Sequence, residues 1–237
     1  MLKAWQDDQL QILLRQKDEQ HVFERVVDLA RQLGFDHCAY GMRSPLPLSR
    51  QRIVMFNNYP AAWQARYAQR NYLAIDPSVQ HALKSPLPIM WSDEFFAATP
   101  DFWEEARGHG LRFGWAQPCR DVSGTLGMLT VARSDEAITD GEMQEKNYRL
   151  AWLTQIAHLA MARVLVKKLV PEANVRLSCQ ETNVIRWTAE GKTTAEISVI
   201  MGLSVRTVTF HIGNVVKKLN ASNKTAAAVR AAVLGLL

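Results

Sequence analysis

The chain has 237 residues, 48% hydrophobic and 22% charged, a globular composition that suits one large or two modest domains and excludes a fibrous or disordered protein. Its formal net charge is +5. That excess sits at one end: residues 1–196 hold 23 Lys and Arg against 23 Asp and Glu, while residues 197–237 hold five bases (Arg206, Lys217, Lys218, Lys224, Arg230) and no acid. A neutral body with a basic end points to a polyanion-binding module attached to something else. Three cysteines, Cys38, Cys119 and Cys179, are too few for a disulfide framework or a metal site and read as thiols in a reducing compartment. The first eight residues lack a signal-peptide core, and residues 150–170 are broken by Thr154, Gln155, His158, Arg163, Lys167 and Lys168. That falls short of the roughly 20 apolar residues of a span, so a soluble cytoplasmic protein without membrane contact is expected.

In chain order, Val22, Phe23, Val26, Val27, Ala30 and Leu33 recur at helical spacing, with Gly34 as the stop. Residues 35–42 and 52–57 read as short strands. Pro60 and Pro77 each sit where a helix can open. A further helix is predicted over residues 100–109. Residues 112–120 and 125–133 form a hairpin about Asp121-Val-Ser-Gly124, and residues 138–169 are helical. The predicted fold class is therefore α+β: an α-β-α sandwich around an antiparallel sheet, followed by a C-terminal four-helix domain. The predicted division is a first domain over 1–168, a linker over 169–175 and a second domain over 176–237.

The second domain is punctuated by caps. Ser178 with Glu181 and Thr193 with Glu196 are capping boxes, Gly191 and Gly202 are stops, and Ser204 opens a third helix. A fourth runs over about 225–234. Only Gly202-Leu-Ser204 joins the second helix to the third, which is the helix-turn-helix signal. With Val205, Val208, Ile212, Val215 and Leu219 turned inward, Arg206, Phe210, Gly213, Asn214 and Lys217 fall outward. Such a face suits the major groove of double-stranded DNA, with Arg206 on a guanine edge and Phe210 on a thymine methyl. Thr207 lies in the first turn of that helix. Lys192, Thr193, Thr194, Lys217 and Lys218 suit phosphates. The competing reading is a solvated helix whose lysines only face water and whose Phe210 packs under the fourth helix; it is preferred for Lys218, stays open for Phe210, and yields to DNA binding for the acid-free helix as a whole.

The run Leu177-Ser-Cys-Gln-Glu181, continued through Gly202-Leu-Ser-Val-Arg-Thr-Val-Thr-Phe-His-Ile212 to Lys218-Leu-Asn-Ala-Ser222, resembles the LuxR-type DNA-binding domain. Gln180 and Thr209 depart from its pattern, which leaves the DNA contact at residue 209 unassigned. Upstream, Tyr59, Trp63 and Tyr67 recur every four residues, Asp76 precedes Pro77, and Trp91 lies beyond. By residue type alone these are either core aromatics or the polar-edged wall of a ligand cavity. The pattern Asn58-Tyr-Pro-Ala-Ala-Trp63, with Ile75-Asp-Pro77, Trp91, Phe102-Trp-Glu-Glu-Ala106 and Gly124-Thr-Leu-Gly127, resembles the acyl-homoserine-lactone receptors of the same family, in its QscR-like branch.

That resemblance implies a quorum-sensing transcription factor, not an enzyme, whose small-molecule ligand is an N-acyl-homoserine lactone. It implies no cofactor, no metal and no catalytic residue. Trp63 would donate to the lactone carbonyl, Asp76 accept the amide N–H, and Tyr59 and Thr130 donate to the acyl carbonyl. Tyr67, Trp91, Phe102 and Leu111 would line the cavity. The partners implied are a second copy of the chain in a homodimer, a pseudopalindromic operator, and RNA polymerase. Two other functions remain open at this point: a lactone or ester hydrolase, for which Cys38 with His37, His81 or His109 is the imaginable pair, and a DNA-binding protein whose body only dimerises. Neither a G-x-S-x-G elbow nor an H-E-x-x-H helix occurs.

Overall fold

Five strands, β1 (His37–Arg43), β2 (Ile53–Asn57), β3 (Ile89–Met90), β4 (Phe113–Arg120) and β5 (Leu126–Arg133), form a wholly antiparallel sheet in the order β2-β1-β5-β4-β3. The computed structural model describes residues 2–121 and 124–237, with side chains from residue 8 onward. The expected hairpin joins β4 to β5, and the Val122 and Ser123 of its turn lie outside the described residues. Ala39 stands opposite Asn57 and Thr130, Gly41 opposite Met55 and Met128, and Arg43 opposite Ile53 and Leu126. Directly opposed residues share a face, so these nine positions form three rows on one side of the sheet.

Helices α1 (Leu2–Arg15), α2 (Glu19–Gln32), α3 (Ala61–Gln69), α4 (Pro77–Lys84), α5 (Pro100–Gly108) and α6 (Asp140–Leu169) cover the sheet. On the face of Tyr40 and Phe56, the Phe23 ring of α2 lies 5.8 Å from Phe56, and His158 Nδ1 of α6 lies 2.8 Å from the Tyr40 hydroxyl. Gly127 has no Cβ there because one would collide with the His158 imidazole. On the opposite face α3 and α5 bring Trp63, Phe102 and Trp103 into a cluster with Tyr72, Phe96, Leu111 and Ala132. The α-β-α sandwich expected from the sequence is the one observed.

Two elements escaped the sequence reading, α1 and the two-residue β3, and β1 starts at His37 rather than at residue 35. Gly34 adopts φ +85° and Phe35 donates its N–H back to the Ala30 carbonyl at 3.1 Å. Phe35 therefore completes the cap of α2 instead of opening a strand.

Residues 44–52 and 166–237 belong to a second compact unit. It holds α7 (Cys179–Ala189), α8 (Thr194–Met201), α9 (Val205–Lys218) and α10 (Lys224–Val233). Both expected capping boxes are formed, and Ser204 accepts from the Thr207 N–H at 3.0 Å. Its core joins Ile185, Val215, Leu219, Ala227 and Ala231 with Leu46 from the 44–52 segment. Val208, Ile212, Val215 and Leu219 are buried as expected, but Val205 is 51% exposed. The chain turns 111° between α8 and α9, so the first turn of α9 projects past the helices that cover Val208. Among the described residues no single helix is long and apolar enough to cross a membrane.

Candidate functional site

The face of the sheet that carries Ala39, Gly41 and Arg43 is the floor of a cavity of about 250 Å³. Its roof is α3 (Trp63, Gln64, Tyr67, Ala68), Leu73 and α4 with its cap (Asp76, Ser78, Val79, Ala82, Leu83), and Trp91 closes one side. Six of the expected ligand residues, Tyr59, Trp63, Tyr67, Asp76, Trp91 and Thr130, line it. Phe102 and Leu111 line a small adjoining void of about 30 Å³, which shares Tyr59, Trp63, Tyr67, Asp76 and Trp91.

Local chemistry explains why these side chains converge. Pro60 precedes the first turn of α3, and a period of four places Trp63 and Tyr67 along one side, while Tyr59 comes from the extended residues just before the helix. Trp63, 2% exposed, packs against Phe102 and Tyr72, each with ring centroids 5.7 Å away. Asp76 caps α4: Oδ1 accepts from the Ser78 N–H at 2.8 Å, and Oδ2 accepts from the Tyr67 hydroxyl at 2.9 Å. The Ser78 hydroxyl and the Val79 N–H add to the hydrogen bonds that hold this carboxylate. The Trp63 indole N–H and the Tyr59 and Thr130 hydroxyls bond to no protein group among the described residues. The cavity wall thus offers the donors of Trp63, Tyr59 and Thr130, the unpartnered buried indole N–H of Trp91, and the acceptor Asp76.

Burial raises the Asp76 carboxyl above the ordinary carboxylate range, opposed by the Ser78 and Tyr67 hydrogen bonds. It drives the Tyr59 and Tyr67 phenols well above theirs, with the Asp76 charge adding to the effect at both. Both tyrosines therefore remain protonated donors at neutral pH. An N–H arriving at Asp76 favours the carboxylate, which burial alone disfavours. Cys38 and Cys119 are buried on the sheet, and burial pushes the Cys119 thiol up to about 12. A thiol so raised is a poor nucleophile. Among the described residues no group of three or more His, Cys, Asp or Glu is placed to hold a metal ion.

In the second unit α9 presents Arg206, Thr209, Phe210 and Lys217 to solvent, with Thr207, Gly213 and Asn214 partly covered. Phe210 is 63% exposed, so it does not pack under α10. Lys192 and Thr194 are half-buried, Lys192 just past the end of α7 and Thr194 at the start of α8. Two hydroxyls have local partners: Thr193 Oγ1 lies 2.7 Å from Glu196 in the cap of α8, and Thr207 Oγ1 lies 2.8 Å from Ser204 Oγ. Lys218 Nζ donates to the nearly buried Glu181 at 2.6 Å and to the Arg176 carbonyl. Its charge is engaged inside the unit.

Sequence reasoning passed over much of the cavity floor: Gly41, Arg43, Ile53, Met55, Leu126 and Met128. The period-two alternation of β1 and β5 was the available signal, but it does not say which face is hollow.

Compared with known proteins, residues 18–161 match the autoinducer binding domain family, and residues 175–231 match the family of bacterial regulatory proteins, luxR family. The transcriptional activator protein AnoR of Acinetobacter nosocomialis is 46% identical over the full length of both chains. The crystal structure of Escherichia coli SdiA superposes with a TM-score of 0.85 at 34% identity, covering 100% of this chain and 99% of that one. SdiA in complex with octanoyl-rac-glycerol gives a TM-score of 0.83 at 35% identity, covering 99% and 96%.

Proposed function

The chain belongs to the LuxR-type family of quorum-sensing transcriptional regulators, and from that membership we propose that its signal is an N-acyl-homoserine lactone and that it reads DNA as a homodimer. It is a regulator with an autoinducer-binding domain and a helix-turn-helix DNA-binding domain, and not an enzyme. In our reading residues 1–168 bind the signal, 169–175 link, and 176–237 bind DNA. The protein acts in the cytoplasm with RNA polymerase as its downstream partner.

The observation that carries the reading is the wall of one cavity, which is lined together by the free donors of Trp63, Tyr59 and Thr130 and by the acceptor Asp76. An acyl-homoserine lactone offers one N–H and two carbonyls. Trp63 donates to the lactone carbonyl, Tyr59 and Thr130 to the acyl carbonyl, and Asp76 accepts the N–H. Each group left buried and unpaired would cost about 1–3 kcal/mol, which makes the match selective. Tyr67 holds Asp76 in place, and Trp91, Phe102 and Leu111 wall the lactone ring.

On the DNA side Arg206 and Phe210 read base edges, with Thr207 and Asn214 beside them. Lys192, Thr193, Thr194 and Lys217 approach phosphates. Lys218 contributes through Glu181 rather than through a phosphate. Two copies read a pseudopalindrome whose half-sites lie about one helical turn apart. Ligand that binds only the folded state stabilises it by RT ln(1 + [L]/Kd), so the signal also raises the amount of competent protein.

Calorimetric titration of the full chain with a long-chain lactone tests the pose. Trp63→Phe keeps the ring and removes the donor, and a loss of about tenfold or more in affinity is expected. Unchanged affinity would overturn the assigned pose.

A further inference from the structure

The three rows on the cavity floor run away from the polar end. Ala39, Asn57 and Thr130 form the first row, Gly41, Met55 and Met128 the second, and Arg43, Ile53 and Leu126 the third. Thr130 stands in the first row and Trp63 packs in one cluster with Ala132, two residues further along β5, while the second row carries no polar side chain. Resting on the reading of the ligand as an acyl-homoserine lactone, we propose that its acyl chain lies along β1 for about ten to twelve carbons, and that Gly41 is the specificity residue that keeps the middle of this path open.

The length follows from the register. An antiparallel strand rises about 3.4 Å per residue, so the first and third rows, four residues apart, are separated by about 13–14 Å. A C–C bond of about 1.52 Å at a tetrahedral angle of about 111° advances an extended chain by about 1.25 Å. A chain whose carbonyl is held at Thr130 therefore reaches Arg43 after about eleven bonds.

The sheet holds three glycines, and they differ in what faces them. A Cβ on Gly114 would collide with the Trp91 ring and one on Gly127 with His158, so a side chain already fills both spaces. A Cβ on Gly41 would meet nothing within 4 Å, and its backbone is outside the positive-φ region. A larger residue fits the strand there and occupies the path of the chain.

The far rows open toward solvent along the edge strand β2. Ile53 and Met55 line the cavity yet are 43% and 42% exposed. The Arg43 side chain, at the third row, makes no hydrogen bond or ion pair among the described residues. Its aliphatic stem can close the path while the guanidinium stays in water, which stops an apolar chain at that row.

The test expresses the full chain with an equimolar mixture of straight-chain lactones from butanoyl to hexadecanoyl, purifies it, and quantifies the retained lactone by mass spectrometry. The wild-type chain is expected to hold decanoyl and dodecanoyl lactones at least tenfold over butanoyl and hexanoyl. Gly41→Val should move the preference to hexanoyl or shorter by at least tenfold. If that variant is insoluble, Met128→Trp fills the same row from β5 and is read in the same way. A wild-type preference for butanoyl or hexanoyl, or an unshifted profile in the soluble variant, overturns the chain-length proposal and leaves the lactone reading standing. Retention of no lactone of any length overturns both.

Discussion

Glu142, at the start of α6, holds two cations, Arg133 with its Nη2 at 2.6 Å and Lys146 with its Nζ at 2.7 Å. Its carboxyl is held down to about 2, first by the Arg133 hydrogen bonds and then by that of Lys146, against burial. A carboxyl lowered in the folded state stabilises above its unfolded value, here 4.5, and that stability drains away as pH falls from there toward 2. Glu142→Gln should cost about 1–2 kcal/mol at pH 7, after allowance for solvent screening, and visibly less at pH 3.5. Urea denaturation at both pH values measures it, and a gap that stays constant contradicts the ion-pair account. At this scale the polar lining of the cavity was legible because Tyr, Trp and Asp announce their chemistry, and the spacing of Trp63 and Tyr67 locates it on one side of α3. Gly41 was illegible for the opposite reason: a missing side chain matters only once the row opposite it is known. Sequence alone sets Lys218 aside as the lysine that faces water, but its actual partner Glu181, 37 positions earlier in the chain, was illegible.

Among the elements, α9 is the helix proposed to meet DNA, and its two adjacent lysines should behave differently. Lys217 is exposed and free for a phosphate, so Lys217→Ala should lower the slope of log K against log salt by about one for any DNA sequence. Lys218→Ala should leave that slope unchanged and instead destabilise the second unit by exposing the nearly buried Glu181 charge. Titrating the full chain onto random-sequence DNA at several salt concentrations separates the two, and equal slope changes would contradict the assignment. The helices of this unit were readable almost residue by residue because their signals are local: Ser178, Thr193 and Ser204 each cap from within three residues. Val205 was misplaced because a helical period continues to the end of a helix whether or not a neighbour covers it. The two residues of β3 gave no pattern of their own, and their strand character comes from pairing with Ala116 and Trp115 of β4.

Across the whole molecule, the charge arithmetic separates a neutral sensing region from a basic reading region, and the comparisons assign both to one family. What the sequence could not yield at this scale is the membership of residues 44–52. Leu46 belongs to the same core as Val215 and Ala231, a contact set by tertiary packing across more than a hundred positions. The central claim is that lactone in the sensing region licenses a dimer to read DNA. Selection of the full chain on random-sequence duplexes, with and without dodecanoyl-homoserine lactone, tests it most directly. Lactone-dependent enrichment of two inverted half-sites centred about 10 base pairs apart is expected. Enrichment of a single unpaired half-site, or of the same sequences to the same degree without lactone, would contradict it.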